Sequence, residues 1–413
     1  MGGGLLQLVA YGSQDVYLTG NPQVTFWKVV YRRHTNFAME SIRQNFNGQV
    51  NFGSRVTATI SRNGDLIHKV YLQVDLPALS NDRDWVNSVG HALIKTVEVE
   101  IGGQRIDKHY GEWMEVWDEL TTPSEKRDGY NQMVGKYNTD LSLEGKGAAP
   151  QTLYIPLQFW FCTNPGLSLP LIALQYHEVK VTFEFRELSK LVWTKPVASS
   201  ATGGDGFAPT SGLGAVATAS DLSATLWVDY IYLDTDERRR FAQVSHEYLI
   251  TQLQFTGEEG FDSSNNRIRL NLNHPVKELV WVFNENSTLT TTNDMFNFAS
   301  RKQTDVIKTG ILQLNGHDRF YAREAAYFRL VQPYQHHTCV PKKPVYVYSF
   351  GLKPEDIQPS GTCNFSRIDN ATLQFTMSDD TDVAGDKYKI KVFAVNYNVL
   401  RIMSGMGGMA YSN

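Results

Sequence analysis

Short runs in which apolar and polar residues alternate follow one another along most of the chain. Residues 96–101 read Thr-Val-Glu-Val-Glu-Ile, and residues 178–185 set Val179, Val181, Phe183 and Phe185 between polar neighbours. Residues 70–76, 154–161 and 226–233 are apolar with fewer interruptions, and similar runs recur at 249–255, 268–272, 278–283, 310–314, 345–350, 371–377 and 389–397. Side chains of a strand point alternately to its two faces, so period-two runs bounded by Gly, Pro, Asn and Asp predict half-buried antiparallel strands. Helical periodicity is rare. Trp113, Val116, Trp117 and Leu120 share one face at i, i+3, i+4 spacing and predict a helix over 110–120. A weaker pattern predicts another over 318–330. The fold class is therefore all-β, with short helices in loops.

The run of strands repeats. Lys69-Val-Tyr-Leu-Gln-Val resembles Glu278-Leu-Val-Trp-Val-Phe, and Val99-Glu-Ile-Gly-Gly-Gln-Arg-Ile resembles Leu312-Gln-Leu-Asn-Gly-His-Asp-Arg-Phe. Tyr154-Ile-Pro-Leu-Gln-Phe pairs with Tyr346-Val-Tyr-Ser-Phe, Ala173-Leu-Gln-Tyr with Thr372-Leu-Gln-Phe, and Val228-Asp-Tyr-Ile-Tyr-Leu with Val395-Asn-Tyr-Asn-Val-Leu. The five pairs are collinear. Their separation drifts from 209 residues at the first (69 to 278) to 167 at the last (228 to 395), as expected of a duplicated domain whose first copy has longer late loops. The organisation read from this is an N-terminal arm at 1–24, a first β domain at 25–233, a charged linker at 234–246, a second β domain at 247–402 and a tail at 403–413. The tail carries Ser404-Gly-Met-Gly-Gly-Met and reads as flexible. The small-residue stretch 195–220 reads as a long exposed loop, and 287–292 as a shorter polar one. Many short strands without strand–helix alternation leave a sandwich, barrel or jelly roll, which the pattern does not separate.

Charge narrows the function. The 413 residues carry a net charge of −4, and no terminal arm is rich in Lys or Arg, so the basic surface needed to condense nucleic acid is missing. Arg238-Arg239-Arg240 follows Asp234, Asp236 and Glu237 and reads as a balanced, solvated linker. No apolar run reaches the ~18 residues that span a bilayer. The start, Met1-Gly-Gly-Gly-Leu-Leu, lacks the basic and apolar regions of a signal peptide, which implies synthesis in the cytosol.

The candidate chemistry is sparse. Cys162, Cys339 and Cys363 are odd in number, show no C-x-x-C spacing and read as buried structural thiols, a Cys339–Cys363 bridge remaining open. His336-His337 are adjacent and point apart, which does not favour one metal. His177-Glu178 and His246-Glu247 lack the second histidine of a zinc motif. Gly102-Gly103 and Asn315-Gly316 read as hairpin turns rather than phosphate loops. No catalytic, cofactor or metal site emerges, and the expectation is a non-enzyme. Asn286, Asn364 and Asn370 each open an N-x-[ST] triplet and are the candidate glycosylation sites, with Asn286 in the most exposed-looking stretch.

Longer strings are more specific. Leu8-Val-Ala-Tyr-Gly-Ser-Gln-Asp-Val-Tyr-Leu-Thr-Gly-Asn-Pro-Gln, Ile60-Ser-Arg-Asn-Gly-Asp-Leu-Ile, Leu169-Pro-Leu-Ile-Ala-Leu-Gln-Tyr-His-Glu-Val-Lys, Pro359-Ser-Gly-Thr-Cys-Asn-Phe-Ser-Arg-Ile-Asp-Asn-Ala and Tyr397-Asn-Val-Leu-Arg-Ile-Met-Ser-Gly-Met-Gly-Gly resemble the major capsid proteins of large icosahedral double-stranded DNA viruses. The likeness is nearest to the algal, chlorella-virus branch. It runs from about residue 7 to the C-terminus, interrupted at 131–149, 195–220 and 285–309.

The resemblance implies a double jelly roll, two eight-stranded barrels in tandem. It also implies homotrimers with six lobes that tile a shell, in contact with minor capsid and penton proteins, around an internal membrane and the DNA genome, without binding that DNA. Outer loops would face the host cell, and family glycans sit at unusual sequences, so the three triplets need not mark them. For the arm at 2–21, with Leu5, Leu6, Leu8 and Val9, the expectation is a position along the base of the capsomer. Two other classes that suit jelly rolls are a carbohydrate-binding module using exposed Trp and Tyr, and a cupin-type enzyme with metal ligands inside the barrel.

Overall fold

The computed structural model describes residues 4–27, 29–79, 83–136, 150–194, 222–261, 263–286, 293–300, 305–378 and 388–411. The expected loops at 195–220 and 287–292 lie outside the described residues. Among the described residues, eight strands make the main path of the first half's two large sheets, with shorter strands beside them: β1 (Phe37–Gln44), β2 (Arg55–Thr59), β3 (Leu66–Leu76), β4 (Ile94–Ile101), β5 (Gln104–Tyr110), β6 (Gln151–Pro156), β7 (Val179–Phe185) and β8 (Ser223–Leu233). Eight more do the same in the second: β9 (His246–Phe261), β10 (Asn265–Arg269), β11 (Pro275–Glu285), β12 (Ile307–Leu314), β13 (His317–Asp318), β14 (Tyr346–Ser349), β15 (Ala371–Met377) and β16 (Tyr388–Met403).

Strand order makes the duplication explicit. The first half has sheets β1-β8-β3-β6 and β2-β7-β4-β5, and the second has β9-β16-β11-β14 and β10-β15-β12-β13. Adding eight to each strand number carries one half onto the other. Two such four-stranded antiparallel sheets make a jelly roll, so the all-β, double jelly-roll expectation is met. Four of the five paired landmarks fall on corresponding strands or hairpins. The fifth does not: Thr372 lies on β15, whose counterpart is β7, whereas Ala173–Tyr176 lie outside any strand. Leu174 is fully buried there, so a Leu-Gln-aromatic string served a packed turn and a strand alike.

Alternation feeds the cores. On β3, Val70, Leu72 and Val74 are buried while Tyr71 and Gln73 between them are half-exposed. The matching strands of the second roll are buried on both faces. Leu279, Trp281 and Phe283 of β11 enter the second roll's core, while Val280 and Val282 join the first roll's core; on β16, Val392 and Ala394 divide from Phe393 and Val395 in the same way.

Both predicted turns form. Gly102-Gly103 joins β4 to β5 with φ of 58° and 83°, and Asn315-Gly316 joins β12 to β13 with φ of 51° and 80°. Positive φ at both central positions is the hairpin geometry that Gly and Asn tolerate.

Three helices matter below: α1 (Gly111–Thr121), α2 (Ser124–Val134) and α3 (Thr235–Gln243). α1 is the helix expected at 110–120. The helix expected at 318–330 is displaced: helical turns run Tyr327–Val331 and Gln332–His336. Strand pairing at β13 and at Arg323–Glu324 takes the earlier residues, and Pro333 starts the later turn, where its missing N–H costs nothing. The charged segment after residue 234 is helical. The Asp234 side chain accepts the Thr235 N–H (2.7 Å), acids open α3 and Arg240 closes it, an order that suits the helix dipole. α3 buries no residue, and Arg238 pairs with Asp65 at 3.0 Å.

The C-terminal segment departs from the sequence reading. Instead of a flexible tail, Met406–Met409 pairs with β16 through a Ser404-Gly405 turn with φ of 52° and 79°. The Gly407 N–H donates to His177 Nδ1 (3.1 Å), and a Cβ on Gly407 would meet Leu174 Cδ2 at 2.7 Å. Glycine there lets the hairpin lie flat against the first roll.

Residues Met1–Phe37 form a separate unit. It holds two one-turn helices, Gly4–Gln7 and Val16–Thr19, and exposed apolar side chains that include Leu8, Tyr17, Leu18, Phe26 and Trp27. Among the described residues no helix is long and apolar enough to cross a membrane.

Candidate functional site at the junction of the two rolls

Chain reversal after β5 starts α1, which wedges between the rolls. Glu112, Glu115, Asp118 and Glu119 lie within two turns of it and all are buried. Buried carboxylates need matching cations, because an unpaired ion in the interior costs several kcal/mol. Both rolls supply them. From the first, Lys136 lies 3.0, 2.9 and 2.7 Å from Glu115, Asp118 and Glu119, and Arg186 lies 2.6 Å from Glu112. From the second, Lys343 reaches Glu115 at 2.8 Å, and Lys391 of β16 reaches Glu112 at 3.4 Å and Glu258 at 3.0 Å. His91 Nδ1 closes on Glu115 at 2.8 Å.

The cations outweigh burial. Burial alone would raise the Glu112 carboxyl, but Lys391 and Arg186 bring it down to about 2. Burial is likewise overcome at Glu115, which Lys343, His91 and Lys136 hold well below the usual carboxylate range. Burial works against Lys136 too, yet the three carboxylates raise it above an ordinary lysine.

Apolar and backbone contacts cross the same junction. Trp113 sits 5.4 Å from Phe393, Tyr110 lies 4.8 Å from Phe255, and Phe255 stacks on Phe393 at 4.9 Å. The Leu253 N–H donates to Asp107 Oδ1 (3.1 Å), Gln252 Nε2 donates to the Ile106 carbonyl, and the Cys339 N–H donates to the Leu120 carbonyl (2.9 Å). Asn293 Nδ2 donates to the Ser189 and Val192 carbonyls at 2.8 and 2.9 Å. A mixture of packed aromatics, matched charges and backbone bonds holds the two rolls as one body.

His336 and His337 point apart, as expected. His336 Nδ1 lies 2.9 Å from the Leu352 carbonyl, whereas His337 is buried between two carboxylates. Its Nδ1 lies 2.8 Å from Glu355, and its Nε2 lies 2.9 Å from Glu278 without the alignment of a hydrogen bond. Burial would lower this imidazole, but Glu278 and Glu355 raise it to about 9. Among the described residues no group of three His, Cys, Asp or Glu could hold a metal.

A cavity of about 70 Å³ opens beside Trp113, Trp117, Lys277, Glu355 and Tyr397. That is room for a few water molecules and not for a cofactor. Lys277 donates to the Pro354 carbonyl (2.6 Å) and sits 5.3 Å from the Tyr397 ring, and burial lowers its affinity for a proton.

All three cysteines are free. Burial pushes the Cys162 thiol up to about 12, and Cys339 Sγ donates to the Thr122 carbonyl (2.9 Å). Of the triplet asparagines, Asn364 and Asn370 are exposed while Asn286, directly after β11, is only half so. Its position differs from the exposed-stretch reading because β11 runs further than the sequence pattern suggested. The Asn364 side chain accepts the Ser366 N–H at 3.0 Å, and the Asn315 side chain accepts the Asn370 N–H at 3.2 Å.

Sequence reasoning missed the ionic junction. The apolar spacing of 110–120 marked the helix, but charged residues on an amphipathic helix ordinarily face solvent, so its four acids gave no sign of burial. The available signal was their interleaving with Trp113 and Trp117, which leaves the helix no clean polar side.

Residues 25–234 match a family model described as the major capsid protein N-terminus, and residues 237–408 match that of the large eukaryotic DNA virus major capsid protein. The chain is 54% identical to the major capsid protein of Pyramimonas orientalis virus, 47% to that of Phaeocystis pouchetii virus and 46% to that of Paramecium bursaria Chlorella virus 1, each over the full length of both chains. Among solved structures it resembles a chain of the quasi-atomic model of the PBCV-1 virus capsid, with a TM-score of 0.79 and 42% identity, covering 94% of this chain and 100% of that one. The Faustovirus major capsid protein shares the fold at 14% identity and a TM-score of 0.75, over 95% of this chain and 94% of that one.

Proposed function

Because the chain belongs to the family of large eukaryotic DNA virus major capsid proteins, we propose that it is a structural subunit of an icosahedral virus shell, assembling as homotrimers with six lobes. Its relatives are capsid proteins and not enzymes. The observation that carries the trimeric reading is the identical strand order of the two rolls, fixed to each other by the charged junction. Three chains with two like lobes each give a near-hexagonal outline, which tiles a surface by repetition.

In this reading the divisions fall at 1–24, 25–233, 234–246, 247–402 and 403–413, and the arm contacts neighbouring capsomers or minor capsid and penton proteins. The exposed apolar residues from Leu8 to Val24 support that role for the arm. The shell surrounds an internal membrane and the genome. The mild net charge of −4 suits a protein that does not touch DNA. Synthesis is in the host cytoplasm, and outer loops meet the host surface. Exposure favours Asn364 and Asn370 over Asn286 as glycan carriers.

Gold-labelled antibodies against the folded chain test the shell assignment on particles from infected cultures. Label on the outer surface of intact icosahedral particles is expected. Label confined to disrupted particles would exclude a shell position.

A further inference from the structure

The lysines of the junction are matched by charge: Lys136, Lys343 and Lys391 each lie 3.0 Å or less from a carboxylate. Lys277 is not. It is 5% exposed. Its Nζ donates to the Pro354 carbonyl (2.6 Å) and sits 5.3 Å from the centre of the Tyr397 ring. Among the described residues no carboxylate lies within ion-pair distance of it.

A break in the strand register aims this side chain. Val276 pairs with Asn396 and Glu278 with Val395, so Lys277 is the extra residue of β11 against β16. Such a bulge re-aims a side chain from the regular alternation of its strand. Lys277 thereby lines the cavity of about 70 Å³ together with Trp113 and Trp117 of α1 and with Tyr397. Leu249 and Ile357 line it too and are exposed, so the cavity opens to solvent between the rolls.

A lysine amine that is desolvated and has no ion pair is a nucleophile, because more of it is unprotonated than in an exposed lysine. Burial has that effect on Lys277 against the pull of Glu278 and Glu355. The titratable groups around it are Glu278 on its own strand, Glu355 and Asp356 after β14, Tyr397 on β16 and His109 on β5, with His337 between the two glutamates. Three carboxylates to one imidazolium disfavour attachment of an anionic group. They favour a product that is neutral or cationic, and the Tyr397 ring suits a cation over its face.

We propose that Lys277 is a site of covalent modification by short-chain aldehydes, which enter the cavity and condense with its amine to an imine. Nζ attacks the carbonyl carbon and the C–N bond forms. One N–H proton passes to the carbonyl oxygen, giving a carbinolamine. That hydroxyl leaves with the second N–H proton as water when the C=N bond forms, so the step needs no oxidant or reductant. The size of the cavity limits the aldehyde to a few heavy atoms. The inference stands apart from the homotrimeric reading.

The test treats the folded, full-length chain at pH 7 with acetaldehyde and cyanoborohydride, which fixes the imine as a secondary amine. Peptide mass spectrometry at short times then follows each lysine. Expected are labelling of Lys277 at least tenfold faster than of Lys136, Lys343, Lys391 and the exposed Lys353, a rate that saturates with aldehyde concentration, and loss of the preference in guanidinium chloride. Lys277→Arg, with folding checked by circular dichroism, should lack the fast phase; if that variant does not fold, the rates in the parent decide. Labelling of Lys277 no faster than of Lys353, or a preference that survives unfolding, would overturn the inference.

Discussion

Lys343 and His337 are side chains whose roles follow from burial alone. Lys343 is the second roll's partner for Glu115, a carboxylate with no exposed surface. Lys343→Ala leaves that charge with Lys136 and His91 only. Removing one member of a buried pair costs about 3–5 kcal/mol, and the remaining partners place this loss near about 3; urea unfolding of the two proteins measures it. A loss below about 1 kcal/mol would mean that the pair is solvated. His337 gives a pH signature. Its imidazole stays protonated to about pH 9 in the fold, against 6.5 as the ordinary value. Its contribution is therefore complete below pH 6.5 and is lost as pH rises through 9. The shift corresponds to about 3 kcal/mol. Melting temperature is expected to fall between pH 7 and pH 10, and His337→Gln should flatten that decline. An equal decline in both proteins would place the alkaline sensitivity elsewhere. On the acid side, Glu112 works the other way. Its contribution is present above the ordinary 4.5 and is lost only as pH falls through about 2, so this ion pair persists into acid.

At the scale of elements, legibility followed burial. Strands with one dry face, such as β3, β7 and β15, were readable because their apolar residues recur every second position. β1 was not, since Gln44 is its one buried residue. β5 was hidden for the opposite reason: Asp107 and His109 are buried at the junction and pair with each other at 3.0 Å, so polar letters occupy dry positions. The C-terminal hairpin was misread because its three glycines look like slack, whereas Gly405 supplies a positive φ and Gly407 a close approach. Deleting residues 404–413 should therefore uncover Leu174, Ile101 and Ile402 and cost about 2 kcal/mol, lowering Tm by roughly 2–4 °C per kcal/mol. Differential scanning calorimetry decides it. An unchanged Tm would restore the flexible-tail reading.

For the whole molecule, two β domains were legible as a repeat, and the absence of a catalytic motif pointed away from an enzyme. Neither the jelly-roll order nor the shell followed from periodicity, because alternation marks a half-buried strand without saying which strand it pairs with. Family strings carried that step, and the shared strand order of the rolls then gave it a physical basis. In the homotrimeric reading, duplication with a rigid junction makes each chain two-sixths of a tile. The most direct test is the solution mass of the purified full-length chain by light scattering across a hundredfold range of concentration. The expected result is a species near 140 kDa, about three times the 46.7 kDa chain. A monomer whose mass does not change with concentration would contradict the account.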